Sequence, residues 1–428
     1  MQENTRLWHS RRVTGRDCFW VLAAGFGTLL GAQNAFAANQ PLEDFFIQAC
    51  GNAAGALAAQ CANAPGFLLS GDSESSLNPS QSATNNDLAL SRAKAVTKES
   101  QERLEEERKK KAGIPTGRSA GDTMELGGLS LFLNVAGERF NRDRTLDVDQ
   151  EKGYEGWKAG FQFGGDYRIG DKMVVGALIG YDHSESRFDP DEPGVNFNPG
   201  GDEGGTKSDG VLLNVYSSYS LTDNLYIDGT VGIGYTDYTF DRNVIFQNTA
   251  RNFTTDVSTK GKTHGFEYTA SAGVGYDFYH NAFSYGPYVR LNFGRSRVSA
   301  YTEEDRNNSG LNMSIEADTT TSITSVLGVQ ASYAISQDWG VVVPQIRFEY
   351  EHEYRDDPRS IISSFAQDTG GATFAVTTDQ PDRNYFNIGG SLLFVLPNGW
   401  MPFVDFEALA SYKDLSRRRV TAGLRAEF

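Results

Sequence analysis

The C-terminal two thirds of the chain consists of segments in which apolar and polar residues alternate. In the last segment, VTAGLRAEF, Val420 and every second residue after it are apolar, and the residues between them are mostly polar. Successive side chains of a β-strand point to opposite faces of a sheet. Each segment therefore predicts a strand with one apolar face. The pattern recurs from about Gly128 onward, so it governs roughly the last 300 residues.

The polar faces of these strands carry charges that a soluble sandwich could not readily bury. In one segment Ile346 and Phe348 alternate with Arg347, Glu349 and Glu351. A membrane barrel turns the apolar row toward lipid and the charged row toward a wet lumen. Arg347 and Glu349 are therefore predicted to face the lumen. Four further candidates are Glu267, Asp277, Arg290 and Arg425.

Twelve such segments can be counted, and bacterial membrane barrels have an even number of strands. The predicted fold class is all-β, a 12-stranded antiparallel transmembrane β-barrel at residues 125–428. The strands are expected at about 128–140, 155–168, 172–188, 207–221, 224–240, 263–279, 283–302, 319–335, 339–354, 383–396, 399–413 and 416–428.

The connections between these strands alternate between short and long, except that the last outer loop, at 413–416, is also short. The short ones are rich in Gly, Asn and Asp, the residues that tight turns require: 169–172, 221–224, 279–282, 336–338 and 397–399. The long ones are 141–154, 189–206, 241–262, 303–318 and 355–382. Membrane barrels have short periplasmic turns and long extracellular loops. Both ends of the barrel are therefore expected on the periplasmic side.

The N-terminal residues 1–37 have the features of a secretory signal peptide. Four arginines precede an apolar run at 19–30, and Ala35-Phe36-Ala37 supplies the small residues of a cleavage site. The mature chain then contains Cys50 and Cys61 in an oxidising compartment, where two cysteines this close predict a disulfide. No histidine lies near them to complete a zinc site.

The region at 87–124 is predicted to form a helix and a connector within the pore. Residues 87–111 lack Gly and Pro and are rich in Ala, Leu, Glu, Lys and Arg. After Val96 the segment has too few apolar residues to face lipid or a soluble core. A water-filled barrel lumen can accept it, and the candidate lumen residues either hydrate the pore or pair with this helix. A solvated helix or charged tail is the alternative.

Composition and charge exclude several classes of protein. The net charge is −16, which disfavours nucleic acid as a partner. The only long apolar stretch, Cys18–Ala37, overlaps the signal, which excludes a bundle of membrane-spanning helices. The scattered histidines form no recognisable Ser/His or Asp/His pair. We therefore predict no catalytic residue, no metal site, no cofactor and no enzymatic activity, although the acidic loop at 189–193 could offer oxygen ligands to calcium.

Three stretches resemble the C-terminal translocator domain of autotransporters, the type V secretion proteins. They are GWKAGFQFGGDYRIGDKMVVGALIGYDHSESRF from Gly156, SDGVLLNVYSSYSLTDNLYIDGTVGIGYTDYTFDR ending at Arg242, and the last strand from Arg419 to Phe428. The resemblance covers about 125–428. It implies a monomeric barrel in the Gram-negative outer membrane whose pore helix tethers a passenger at the cell surface.

The same resemblance implies the partners of the chain. The terminal Phe428 is expected to be an assembly signal read by the barrel-assembly machinery, with periplasmic chaperones assisting. Outer-membrane lipid and lipopolysaccharide would surround the folded barrel. Asn85-Asn86 is similar to the asparagine pair at which some autotransporters cleave themselves, but it lies roughly 40 residues before the first strand, too far upstream for that role.

Residues 38–86 depart from the family because they are far too short for a typical passenger, which is a long repetitive β-helix. Two functions therefore remain open. The first is a translocator that anchors or exports a very short N-terminal passenger. The second is a small plugged channel or porin-like barrel without a secreted passenger.

Overall fold

The structure, a computed structural model, describes residues 40–63, 79, 83–111, 129–143, 152–190, 197–199, 204–248, 253–378, 380–397 and 399–427. The predicted signal peptide and Phe428 lie outside these residues. No helix among the described residues has both the length and the apolar character needed to cross a membrane.

Twelve long strands form one closed antiparallel sheet. Each strand pairs with its neighbour in the chain, and the first pairs with the last, which closes the barrel. The predicted 12-stranded transmembrane barrel is therefore confirmed. The strands are β1 Leu129–Arg142, β2 Tyr154–Ile169, β3 Met173–Phe188, β4 Gly204–Ser220, β5 Leu225–Asn248, β6 Phe253–Tyr276, β7 Phe283–Val298, β8 Asp318–Tyr333, β9 Gly340–Glu353, β10 Asn384–Val395, β11 Trp400–Ala410 and β12 Leu415–Glu427.

The alternation of the sequence fixes which face of each strand points outward. On β6, Phe266 and Tyr268 expose 42% and 48% of their surface, whereas Glu267 between them exposes 1%. Equivalent apolar side chains form an outward belt around the barrel. Aromatic residues flank it on both sides, as the two membrane interfaces favour: Trp157, Tyr181 and Tyr235 toward the long loops, and Tyr167, Tyr276, Trp339 and Trp400 toward the short turns.

One predicted loop, 241–262, is largely strand. β5 and β6 continue to Asn248 and Phe253 and remain paired along this whole length. The turn-type residues that led to the loop prediction, such as Asp241, Asn243 and Asp256, lie within the paired strands. Val244 and Val257 are opposite each other in the register and buried, so this extension continues beyond the membrane belt and shares an apolar core with the loops and helices around it.

Two other predicted loops, 303–318 and 355–382, contribute to a small sheet that we call the outer sheet. Its four strands are Tyr301–Thr302, Met313–Ile315, Ser360–Phe365 and Phe374–Thr377. Arg242 of β5 ties it to the barrel through two bonds to Glu303 of 2.9 and 2.5 Å and a third of 2.7 Å to the Leu311 carbonyl. Short strands at Phe197–Pro199, Phe278–His280, Glu304–Asp305 and Ile335–Gln337 extend the main sheet.

Three helices precede the barrel: α1 Gln40–Gly51, α2 Gly55–Asn63 and α3 Ala83–Lys111. α1 and α2 form a hairpin, which we call the N-terminal hairpin, and Cys50 and Cys61 are joined across it by a disulfide. No helix was predicted from the sequence of this segment. α3 covers the predicted pore helix and begins four residues earlier, so Asn85-Asn86 lies in its first turns.

Candidate functional site: the helix-filled lumen

α3 lies in the lumen and runs from the long-loop end of the barrel toward the short-turn end. Arg92, near its start, contacts Asp182 in the outer half of β3. Arg108, near its end, contacts Asp277 beside the turn at 279–282. The helix has 29 residues and so a length of about 43 Å, enough to span the pore.

The outer third of the helix is held by Arg92. Its Nε lies 2.5 Å from Asp182 and its Nη1 lies 3.0 Å from Glu267, and it also donates to Thr236. The wall leaves room for this guanidinium at Gly210. A Cβ at that position would lie 2.4 Å from the Arg92 Cζ, so the glycine permits the close approach.

In the middle of the helix, basic side chains face acidic side chains of the barrel wall, and acidic side chains face basic ones. Lys98 lies 3.1 Å from Glu349 and also pairs with Glu407. Glu102, one turn further on, lies 2.6 Å from Arg347. Cations and acids of the helix therefore face wall residues of opposite sign, and the pairing is specific to the register of the helix.

The inner third of the helix has the most buried contacts. Arg103 is fully buried and donates two bonds of 2.7 and 3.0 Å to Asp166 of β2. Glu107 lies 2.6 Å from Arg168 on the same strand. Arg108 lies 3.2 Å from Asp277, and its guanidinium stacks 3.4 Å from the centre of the Tyr226 ring. Cation–π contact is strongest where water is excluded.

An apolar contact between helix and wall was missed by the sequence analysis. Val96 and Leu104 of α3 are buried, and they pack with a group of wall residues: Phe132, Val174, Leu178, Leu212 and Tyr216. The spacing of Val96 and Leu104 in the sequence could have predicted this contact, because residues eight apart lie close to one face of a helix. Such burial contributes roughly 1.5–3 kcal/mol per side chain, more than an exposed ion pair does.

The structure brings five of the six candidate lumen residues to the helix. Glu267, Asp277, Arg347 and Glu349 make the contacts given above. The guanidinium of Arg425 lies 4.0 Å from Glu99 and stacks on Phe403 at 4.1 Å. Arg290 instead joins wall residues, at 3.6 Å from Glu349 and 4.0 Å from Asp228. All six side chains point into the barrel.

The prediction that no Asp/His or Ser/His pair exists is wrong, because two histidines each have such a partner. His183 Nδ1 lies 2.9 Å from Asp209, and His264 Nε2 lies 3.3 Å from Ser299. Both pairs are exposed on the outward surface near the rim. Among the described residues, neither pair is completed into a set of nucleophile, base and orienting acid, and no cluster of His, Cys, Asp or Glu is arranged to hold a metal.

Outside the membrane, an ion pair joins the two ends of the loop between β9 and β10. Arg383 donates from Nη2 to Asp356 at 2.7 Å, and Gln380 donates to the same carboxylate. The Arg383 hydrogen bond lowers the pKa of Asp356 to about 2. A depressed carboxyl pKa contributes stability that is present above about pH 4 and is lost as the pH falls toward 2. The pair is therefore intact at neutral pH.

A closed barrel with an apolar outward belt, two aromatic girdles and a charged lumen defines an outer-membrane β-barrel of Gram-negative bacteria. A family model described as Autotransporter beta-domain matches residues 131–407. The chain belongs to this autotransporter family, and its barrel is an autotransporter translocator domain.

The solved structures to which the chain is similar include other translocator domains. The translocator domain of NalP from Neisseria meningitidis has a TM-score of 0.53 and 13% sequence identity to this chain. The match covers 78% of this chain and 98% of the NalP domain. The β-domain of Bordetella BrkA has a TM-score of 0.46 at 17% identity, covering 70% and 100%. The NalP similarity supports the fold. A search of curated proteins finds no match.

Proposed function

We propose that this translocator carries its own short N-terminal segment, residues 38–86, to the cell surface and retains the N-terminal hairpin there, packed on the outer sheet. The observation that carries this proposal is the direction of α3. Its start lies toward the long loops and its end toward the short turns, and the N-terminal hairpin lies against the outer sheet, which is built from long loops. Because long loops are extracellular in such barrels, the hairpin would be on the outside.

The apolar contact of the hairpin with the outer sheet supports retention rather than release. The ring of Phe45 stacks on Phe365 and Phe374 at 5.1 and 5.7 Å, and Phe46 meets Phe365 edge-on at 5.8 Å. Leu57 of α2 is fully buried in the same cluster. Pairs of aromatic rings contribute about 0.5–1.5 kcal/mol beyond their buried area, so several such contacts would hold the hairpin in place.

Polar contacts fix the orientation of the hairpin on the sheet. The amide of Ala54, between the two helices, donates to the Gln367 carbonyl at 2.9 Å, and the Leu57 amide donates to the Gln367 side chain at 3.2 Å. At Gly310 the backbone has φ +79° and approaches Leu57 so closely that a Cβ would lie 2.2 Å from its nitrogen. The loop is thus shaped to receive α2.

Surface exposure of this segment is the direct test. An epitope tag inserted between Asn63 and Ala83 should be detected by antibody on intact cells that express the full chain. The matched control carries the same tag in the turn at Gly170–Lys172, where detection should require permeabilised cells. If both tags need permeabilisation, export of the segment is refuted.

The disulfide should stabilise the hairpin on the outer sheet. Cys50→Ser with Cys61→Ser removes a loop closure worth roughly 2–3 kcal/mol on the chain-entropy model, so protease should cut residues 40–63 faster on intact cells. Reduced wild-type protein should behave like the double variant. Two maleimide-reactive thiols in unreduced, folded protein would contradict this expectation.

A plugged channel without an exported passenger is the second candidate function. A cavity of about 400 Å³ beside the start of α3 favours it, because its lining includes Lys94, Glu138, Glu351 and Arg417, charges that hold water.

For both candidate functions we propose the same route of assembly. Phe428 is the assembly signal, and the barrel-assembly machinery and periplasmic chaperones insert the chain into the outer membrane. The inserted chain acts as a monomer and catalyses no reaction.

A further inference from the structure

Two arginines face each other at the seam where the barrel closes. Arg139 of β1 and Arg418 of β12 are directly opposite in the register of these two strands. Both side chains are exposed and point outward from the barrel, since their neighbours Glu138 and Arg417 point into the lumen. Residues opposite each other on antiparallel strands have Cβ atoms about 4.5–5.5 Å apart, and like charges there are destabilising.

In the described part of the chain, no ion pair neutralises either of these two arginines. The register neighbours on the outer strands are Trp157 beside Arg139 and Ala408 beside Arg418. Glu155, the carboxylate diagonal to Arg139, is also exposed. Among the described residues, Arg139 and Arg418 have no ion pair with it or with any other acid. By contrast, one other cation of the rim, Lys207, is matched by Glu185 at 2.7 Å.

The pair lies at the outer edge of the membrane belt. On the short-turn side of it, the outward positions of the two strands are apolar and exposed: Leu133, Val135, Val420 and Leu424. On the long-loop side they are Asn141 and Ser416. The adjacent Trp157 belongs to the outer aromatic girdle, which marks the level of the headgroups.

We propose that Arg139 and Arg418 bind a phosphate group of lipopolysaccharide in the outer leaflet. Two guanidinium forks can hold one phosphate through several charge-assisted hydrogen bonds. The anion would convert the repulsion across the seam into attraction and so brace the junction of the first and last strands. The proposal rests on the outer-membrane location of the barrel and is independent of what happens to residues 38–86.

The test measures binding of lipid A to the folded full-length protein in detergent, with Arg139→Gln/Arg418→Gln as the variant. Loss of two cationic contacts should weaken binding by about tenfold or more. Lys207→Gln is the matched control, because it removes a rim cation that already has a partner, and it should change binding less than about twofold. Inorganic phosphate should compete poorly, since it lacks the acyl chains that the apolar belt contacts.

The unfolding temperature gives a second test, because the variant is expected to be more stable than wild type in the absence of lipid A. In detergent without lipid A, the single variant Arg418→Gln should raise the unfolding temperature of the barrel, because it removes like-charge repulsion. Added lipid A should then stabilise wild type more than the variant, and Arg139→Lys/Arg418→Lys should retain part of that effect.

Equal lipid A binding by wild type and the Gln variants would overturn the proposal, as would an equal loss of binding in Lys207→Gln. Full competition by inorganic phosphate would point to a free-phosphate site instead and would also overturn it.

Discussion

Deletion of residues 87–111 should raise the single-channel conductance of the barrel in planar bilayers well above that of the intact chain. The deleted segment fills the lumen and is held along its length by pairs such as Arg92 with Glu267 and Arg103 with Asp166. Without it, the charged wall would surround water, and ions could pass. The wall itself is kept by the backbone hydrogen bonds of twelve closed strands, so the shortened chain should still form a barrel.

The matched control for this deletion removes the N-terminal hairpin, Gln40–Asn63, and leaves α3 in place. Its conductance should stay much closer to that of the intact chain. Equal conductance with and without residues 87–111 would mean that the helix lies outside the pore. A large conductance already present in the intact chain would favour the channel function over the translocator function.

The substitution Arg103→Glu should have the largest effect of any single change in the helix. It would place a carboxylate beside Asp166 and Glu107, which lie 2.7 and 3.5 Å from the present guanidinium in a fully buried site. Breaking a buried pair by removing one partner costs about 3–5 kcal/mol, and repulsion adds to this. We expect a lower temperature for the folded-to-unfolded gel shift and frequent opening of the pore.

Two further variants separate charge pairing from general disruption. Arg103→Glu combined with Asp166→Arg restores a pair of opposite sign and should recover part of the lost stability. Lys94→Glu reverses a charge at the outer end, where the Lys94 side chain is 31% exposed and lines, with its partner Glu351, the cavity beside α3. Water in this cavity screens the change, so it should destabilise the protein clearly less than Arg103→Glu does. Equal effects of Arg103→Glu and Lys94→Glu would show that burial of the pair is unimportant.

The architecture of the barrel was predictable because a strand has a period of two residues. The period separates Glu267 from Phe266, and the charges of the polar row assign that row to a wet lumen and the apolar row to lipid. Both assignments agree with the burial of these two residues. A shift of one residue would move every side chain to the other face of the sheet. Only one orientation of each strand therefore places its apolar row against lipid. The polar composition of α3 likewise excluded lipid and a soluble core, which left two places for the helix, the wet lumen or a solvated position outside it.

The partners of individual charges were beyond the sequence. Alternation places Arg290 and Arg347 on the same inner surface, yet Arg347 pairs with Glu102 of the helix while Arg290 joins Glu349 and Asp228 of the wall. Which pair forms depends on the rotation and height of α3, and these are set by the packing of Val96 and Leu104 and by space at Gly210. No local pattern contains that information.

The sequence by itself determined the twelve strands, their facing, the alternation of turns and loops, and a polar helix suited to a wet pore. Only the tertiary structure decided the outer sheet, the docking of the N-terminal hairpin on Phe365 and Phe374, and the meeting of Arg139 with Arg418. The physical reason is the separation along the chain of the residues that make each contact. Periodicity is a property of neighbouring residues. The docked hairpin and the two arginines join segments hundreds of residues apart, and the outer sheet joins two separate loops, as Met313 pairs with Phe365. These contacts exist only once the barrel has closed and brought its loops and its two ends together.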